Sequence, residues 1–385
     1  MKTFLFVAAG FLMMLFMGTV YAWSVFRVEV ETVYGANTLQ SGLPYMTSLF
    51  FYAVSMMLTG RFLTLKNTKI FALFGAGMIA AGWLLSSQAG SLTTLTLSYG
   101  LFIGVGVGMV YGVPVCIMNQ SSARSGLYTG IILSGFGASP LVSAPLVHNL
   151  IETVGLSDAF FAMGVLSAIV LTPLSLVMKG EKRLDCAHNS PEAPFSKSAF
   201  ALLYGMFLLA TTIGLMMIGL THRIGVLNYG FNVRRVVVLL SVFAVLNGLA
   251  RPMFGHLVDK KGFLLASFLS VGLLLLASLL AMVNQGDALW LFAASMGLFW
   301  FNLGAWLSMM PACVKEYFGT SRYAELYGLL FTAYGFGAIF GTILSGIILD
   351  VFLATTYLYA AIFLVVVLVV ALGVVLKNLR LNASS

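Results

Sequence analysis

The chain has 385 residues, a formal net charge of +8, 60% hydrophobic and 13% aromatic side chains, and only 8% charged ones. So few polar groups cannot cover the surface of a soluble globule, so the composition excludes one and specifies an integral membrane protein. The excess of Lys and Arg belongs to membrane orientation and implies no nucleic-acid partner.

Windows of about 20 apolar residues give twelve expected spans. In the first half these are residues 4–28, 43–65, 69–89, 92–118, 126–149 and 158–178. In the second half they are residues 198–222, 235–258, 262–284, 287–313, 323–350 and 355–377. The first span is longer than the apolar core of a secretory signal, and its removal would break the internal repeat described below. An even span count puts both termini on one side. Taking that side as cytoplasm places fifteen Lys and Arg residues inside, among them Arg124, Lys182, Arg183 and Arg322, and leaves only Arg27, Arg223, Arg234 and Arg235 outside. That asymmetry orients the chain in an inner (plasma) membrane with both termini cytoplasmic.

The chain repeats itself. Gly100-Leu-Phe102 returns as Gly297-Leu-Phe299, and Pro114 and Cys116 return as Pro311 and Cys313, at an offset of 197 residues. Gly135-Phe-Gly-Ala138 returns as Gly335-Phe-Gly-Ala338 at an offset of 200, the extra residues fitting a longer loop before the eleventh span. Two six-helix halves related in this way are the mark of a transporter that binds its cargo between them. The expected organisation is an N-terminal bundle over residues 1–178, a polar cytoplasmic linker over 179–197 carrying Pro191 and Pro194, and a C-terminal bundle over 198–385. Cys116, Cys186 and Cys313 are isolated and the four histidines are scattered, so neither a disulfide framework nor a metal site is indicated, and no cofactor is expected.

Arg251 stands out. Its segment runs from Val236 through fifteen largely apolar positions before Asp259-Lys260-Lys261 marks a membrane surface. Eight residues of helix at about 1.5 Å rise put Arg251 roughly 12 Å below that surface, near the middle of the bilayer. The twelve acidic residues all read as lying at span ends or in loops, so the expected counter-ion of Arg251 is an anionic ligand arriving from solution. The bland alternative is a structural arginine bonded to helix carbonyls. Asn247 lies four residues earlier on the same helix face, placed either to bind the ligand or to orient the guanidinium.

Between the eighth and ninth spans, Gly255-His-Leu-Val-Asp259-Lys260-Lys-Gly262 resembles the cytoplasmic loop motif of the major facilitator superfamily. Its first-half counterpart, Gly60-Arg-Phe-Leu-Thr64-Leu-Lys66, has Thr in place of the acid. Further stretches carry the likeness along nearly the whole chain. They are Gly18-Thr-Val-Tyr21-Ala-Trp23-Ser-Val-Phe26, Gly104-Val-Gly-Val-Gly108-Met-Val-Tyr111, Gly214-Leu-Met-Met-Ile-Gly219, and Phe318-Gly319 with Leu326-Tyr327-Gly328. Together they resemble the oxalate:formate antiporter family, which includes bacterial proton-coupled monocarboxylate transporters. The resemblance implies an all-α membrane protein of two six-helix bundles in which Arg251, matching the family's eighth-helix arginine, holds a substrate carboxylate. The oxalate carriers add a lysine in the eleventh helix, where this chain has Tyr334. A single buried guanidinium balances one negative charge, which favours a monocarboxylate over a dicarboxylate.

Tyr111 matches a family position near the ligand, and Tyr334 could donate a neutral hydrogen bond. Tyr21, Trp300 and Trp306 read either as cavity walls or as packing. His222, at the end of the seventh span beside Arg223, is the candidate proton-coupling group; its alternative is a plain outward-facing surface histidine. The glycine runs of the fourth and fifth spans read as close helix contacts rather than a nucleotide loop, because no strand precedes them.

The expected function is secondary transport of a small monocarboxylate (lactate, pyruvate, formate or acetate) by a monomer using alternating access, with proton symport the first choice and anion exchange of the oxalate/formate type the second. A cation exporter would need a core acid. A sensor would usually add a soluble domain or long tail, and an enzyme would need a nucleophile, metal cluster or acid/base pair, none of which the sequence displays.

Overall fold

A computed structural model describes residues 2–121, 125–179, 196–284, 286–319, 323–352 and 354–384. Arg124, Lys182, Arg183, Arg322, Cys186, and the linker expected over 179–197 apart from its two ends, lie outside them. The described residues are helical throughout their ordered elements, and they divide into two compact units, Met1–His188 and Asn189–Ser385.

In the first unit, α1 (Lys2–Met17) passes through a tight 3₁₀ turn at Gly18–Ala22 into α2 (Trp23–Tyr34). A short α3 (Thr38–Ser41) turns the chain into α4 (Leu43–Phe62), followed by α5 (Thr68–Ser87) and α6 (Leu92–Leu95). The latter runs through a π-type stretch, Thr96–Ile103, into α7 (Gly104–Ser121). α8 (Ser125–Ala138) and α9 (Pro140–Val177) complete the unit, and Gly155, at φ 82°, breaks α9 into two helices. The second unit contains α10 (Lys197–Arg223), a π-type extension at Ile224–Asn228, α11 (Val233–Lys261), α12 (Phe263–Val283), α13 (Leu289–Phe318), α14 (Tyr323–Phe352) and α15 (Thr355–Ser384).

Ten stretches among the described residues are long and apolar enough to cross a membrane. One of them, Gly130–Val177, contains the break at Gly155 and so covers two expected spans. The expected span at 43–65 corresponds to α4, which is long enough but less apolar, because its inward face carries Tyr45, Ser48, Tyr52, Ser55 and Thr59. Side chains that face protein rather than lipid escape the requirement for apolarity, so hydropathy alone underrates such a helix.

The repeat seen in the sequence recurs as matched local structure. α2 ends at Gly35 with φ 60°, and the preceding Tyr34 donates its hydroxyl to the carbonyl of Ala89 at 2.8 Å. In the second unit Gly230 has φ 68°, and the preceding Tyr229 donates to the carbonyl of Asn284 at 3.1 Å. Each unit thus ties the end of its first long helix to the turn after its third. At both positions the backbone takes the left-handed conformation that favours glycine.

The two loop motifs solve the same problem differently. Gly262, at φ 80°, turns α11 into α12, and the Glu316 carboxylate of α13 accepts the Phe263 backbone N–H at 3.0 Å, capping the positive end of α12. Gly255, Asp259 and Lys260 lie on the preceding turns, with Asp259 and Lys260 exposed. In the first unit, Asn67 holds the corresponding turn by accepting from Thr64 N at 2.7 Å and donating to the Phe62 carbonyl at 2.8 Å.

Close helix contact is built on missing side chains. A Cβ at Gly108 of α7 would strike the carbonyl of Tyr52 in α4, and one at Gly304 of α13 would strike the carbonyl of Asn247 in α11. Backbone carbonyls cannot yield as a flexible side chain can, so these helices approach only over glycine. Gly304→Ala is expected to cost about 1–3 kcal/mol by overpacking and to lower the thermal midpoint of the detergent-solubilised protein. Gly77→Ala, where nothing lies within 4 Å, should leave the midpoint in place; equal midpoints for both variants would contradict the close contact.

Candidate functional site

Arg251 lies on the buried face of α11 with only 5% of its surface exposed, despite being flanked by Pro252 and followed by exposed Met253. Its guanidinium donates to the Asn247 side-chain oxygen at 3.3 Å, one helical turn earlier. The amide of Asn247 has its orientation fixed from the other end: Nδ2 donates to the main-chain carbonyl of Trp300 at 2.7 Å. With the nitrogen committed to α13, the oxygen is left to face the arginine. Trp300 is itself anchored, its indole N–H donating to the Thr221 hydroxyl at 2.9 Å, and Thr221 donates onward to the Met217 carbonyl at 2.6 Å.

A chain of hydrogen bonds therefore runs from α10 through α13 to α11, and ends on the guanidinium. All of its links are neutral acceptors, so Arg251 is oriented by this chain without its charge being cancelled by it. The proximity of α11 and α13 that permits the Asn247–Trp300 bond depends on Gly304, which lies over the Asn247 carbonyl.

His222 is buried at 4% exposure and directly follows Thr221, so the surface-histidine alternative is corrected. The seventh span continues past it through the π-type turn at Ile224–Asn228. The other expected residues of the second unit are Trp306 and Tyr334. Trp306 packs edge-on against Phe263 of α12 with ring centroids 6.2 Å apart. Tyr334 stacks on Phe331 within α14 at 5.0 Å.

In the first unit, Tyr21 and Tyr111 come together around one ring. Phe136 meets Tyr21 at 5.1 Å and Tyr111 at 5.6 Å, both edge-to-face, and Tyr52 lies 5.4 Å from Tyr111. Tyr21 sits in the 3₁₀ turn between α1 and α2, a local departure from α-helix of the kind that re-aims side chains at functional places. Tyr52 belongs to this aromatic group and was not singled out from sequence; its place on the polar inward face of α4 is the signal that could have found it.

The first unit also buries an arginine. Arg27, counted from sequence with the outer-side cations, is 1% exposed within α2. It faces the part-buried Glu31 at 3.6 Å, near the end of that helix. The i,i+4 spacing that brings the two together was present in the sequence, four residues apart on one helix face.

Long apolar helices in two units with matching internal geometry define an integral membrane protein. The Major Facilitator Superfamily family model matches residues 5–312, and the chain belongs to that superfamily. Over 340 residues it is 24% identical to the "Uncharacterized MFS-type transporter YhjX" of Escherichia coli, covering 84% of this chain and 82% of that protein. Over 339 residues it is 27% identical to an "Uncharacterized 38 kDa protein in 23S RNA operon" of Thermoproteus tenax, covering 88% and 86%. It is 24% identical over 302 residues to monocarboxylate transporter 12 of Mus musculus, covering 67% of this chain and 61% of the mouse protein.

Trp300→Phe keeps the ring packing and deletes the indole bond to Thr221. A loss of about 0.5–1 kcal/mol is expected, read as a lowered thermal midpoint in detergent. An unchanged midpoint would remove Trp300 from the hydrogen-bonded chain.

Proposed function

We propose that the chain carries a small monocarboxylate across the membrane by alternating access, with the substrate carboxylate bound by Arg251. The observation that carries this reading is the buried guanidinium aligned by a neutral amide: Arg251 donates to Asn247, whose nitrogen is held by the Trp300 carbonyl. A planar guanidinium makes two parallel bonds to one carboxylate, which a lysine ammonium cannot do. The likeness to a monocarboxylate transporter supports the same substrate class.

Tyr334 stands where oxalate carriers have a second cation, so one carboxylate is matched and a dicarboxylate would leave a charge unbalanced. Arg251 bound to a carboxylate is a neutral pair, cheaper to move past the bilayer centre than either ion alone. Binding thus favours the conformational change that follows it. Within the first unit, the aromatic group around Phe136, which includes Tyr21 and Tyr111, is a candidate substrate-facing surface. The cargo moves with a proton, for which His222, buried beside Thr221, is the candidate group. The protein acts as a monomer in the plasma membrane with both termini cytoplasmic, and Gly255, Asp259, Lys260 and Gly262 form the loop that resets between conformations.

Arg251→Ala is expected to insert and fold but to abolish lactate uptake into proteoliposomes. Arg251→Lys, which keeps the charge and loses the fork, should retain only a small fraction of it. Wild-type uptake by Arg251→Ala refutes the assignment.

A further inference from the structure

At one end of the first unit, cations gather around the turn between α4 and α5. Arg61 lies in the last turn of α4, Lys66 in the connection and Lys69 in the first turn of α5, and all three are exposed. Asn67 fixes the connection that presents them, through Thr64 N and the Phe62 carbonyl. Lys179 joins from a distant part of the chain. The Thr68 hydroxyl of α5 donates to the Met178 carbonyl at 3.0 Å, and Ser175 donates to the Ala72 carbonyl at 3.2 Å. These bonds stitch the end of α9 to the start of α5, and exposed Lys179 follows directly.

The acids of this unit lie elsewhere. Among its described residues they are Glu29, Glu31, Glu152 and Asp158. Glu29 and Glu31 lie on α2, and Glu31 accepts from Ser41, just before the start of α4. Glu152 and Asp158 flank the break at Gly155, where Ser157 donates to the carbonyl of Ser87 at the far end of α5. α4 and α5 have 20 residues each, a span of about 30 Å. That separation exceeds the screening length of about 8 Å at physiological salt. Arg61, Lys66, Lys69 and Lys179 form no ion pair with any described residue.

Apolar side chains face outward directly beside the cations. Phe62 of α4 is 65% exposed, and Ile70 and Phe74 of α5 are 68% and 59% exposed. α5 is long and apolar enough to cross a membrane, so Ile70 and Phe74, on one face of it, lie where acyl chains run. We propose that this turn binds one anionic phospholipid, its phosphate held among Arg61, Lys66, Lys69 and Lys179 and its acyl chains laid along Phe62, Ile70 and Phe74. Clustered cations at a membrane surface attract anionic headgroups, and the apolar strip beside them selects a lipid over a soluble phosphate.

The second unit provides the contrast. Its matching turn keeps Asp259 beside Lys260 and Lys261, and the Glu316 carboxylate accepts the Phe263 N–H there. Thr64 stands where the first turn would carry its acid. The second turn therefore has carboxylates among its cations, and the first has none among the described residues.

The test is native mass spectrometry of the full chain, released from detergent containing equal amounts of phosphatidylglycerol and phosphatidylethanolamine. Wild type is expected to retain one phosphatidylglycerol in preference to phosphatidylethanolamine. Thr64→Asp, which sets an acid in the turn, should weaken that binding about fivefold, and Arg61→Gln/Lys66→Gln/Lys69→Gln about a hundredfold. Lys260→Gln/Lys261→Gln should bind as wild type, and glycerophosphoglycerol, the headgroup without its chains, should not compete. Equal retention of the two lipids by wild type, unchanged binding in the triple variant, an equal loss in Lys260→Gln/Lys261→Gln, or competition by the free headgroup overturns the proposal.

Discussion

A guanidinium cannot be neutralised by giving up its proton, so a chain that buries one inside a membrane must surround it with acceptors. Two helices of this protein meet that constraint in different ways. Arg251 is oriented by the side-chain oxygen of Asn247, whose nitrogen is occupied by the Trp300 carbonyl, and Trp300 is fixed in turn by Thr221. Arg27 is held through Ser41 and Thr38 and faces a carboxylate. The first arrangement includes a neutral amide, and the second a carboxylate.

Both arrangements depend on how closely helices approach. Asn247 reaches Trp300 because Gly304 removes the side chain that would separate α11 from α13. Arg27 reaches Ser41 because the chain folds back at Gly35 in a left-handed conformation and restarts through the capping box of Asn37 and Gln40. Small residues and helix irregularities thus set the positions of the charged groups, while the apolar bulk of each helix serves the bilayer.

Much of this was legible in the sequence because its physics is local. Hydropathy marked the long apolar helices, ten stretches of which are long and apolar enough to cross a membrane among the described residues, the repeated Gly-Leu-Phe and Pro-x-Cys motifs pointed to two halves, and depth from Asp259 singled out Arg251. The Arg251–Asn247 contact followed from helical spacing alone. What escaped is non-local or masked by pattern. α4 carries inward polar groups that depress its hydropathy, so its apolarity understates its role. Arg27 sits seven residues before Tyr34, near enough to a span end to be counted as surface, and only the return of α3 over it reveals its burial. The capping of α12 by Glu316 joins residues more than fifty positions apart, and the Trp300–Thr221 bond is more distant still; no periodicity encodes either. From sequence Trp306 read as cavity wall or packing and Tyr334 as a neutral hydrogen-bond donor; Trp306 meets Phe263 across two helices, whereas Tyr334 stacks on Phe331 three residues earlier in α14.

The account turns on where a bound carboxylate rests, and the most direct measurement is an experimental structure of the protein soaked with lactate. The account predicts a carboxylate bridged by two bonds to the Arg251 guanidinium, with Asn247 still turned toward it. A lactate seated away from Arg251, with that guanidinium engaged by protein groups alone, would contradict it.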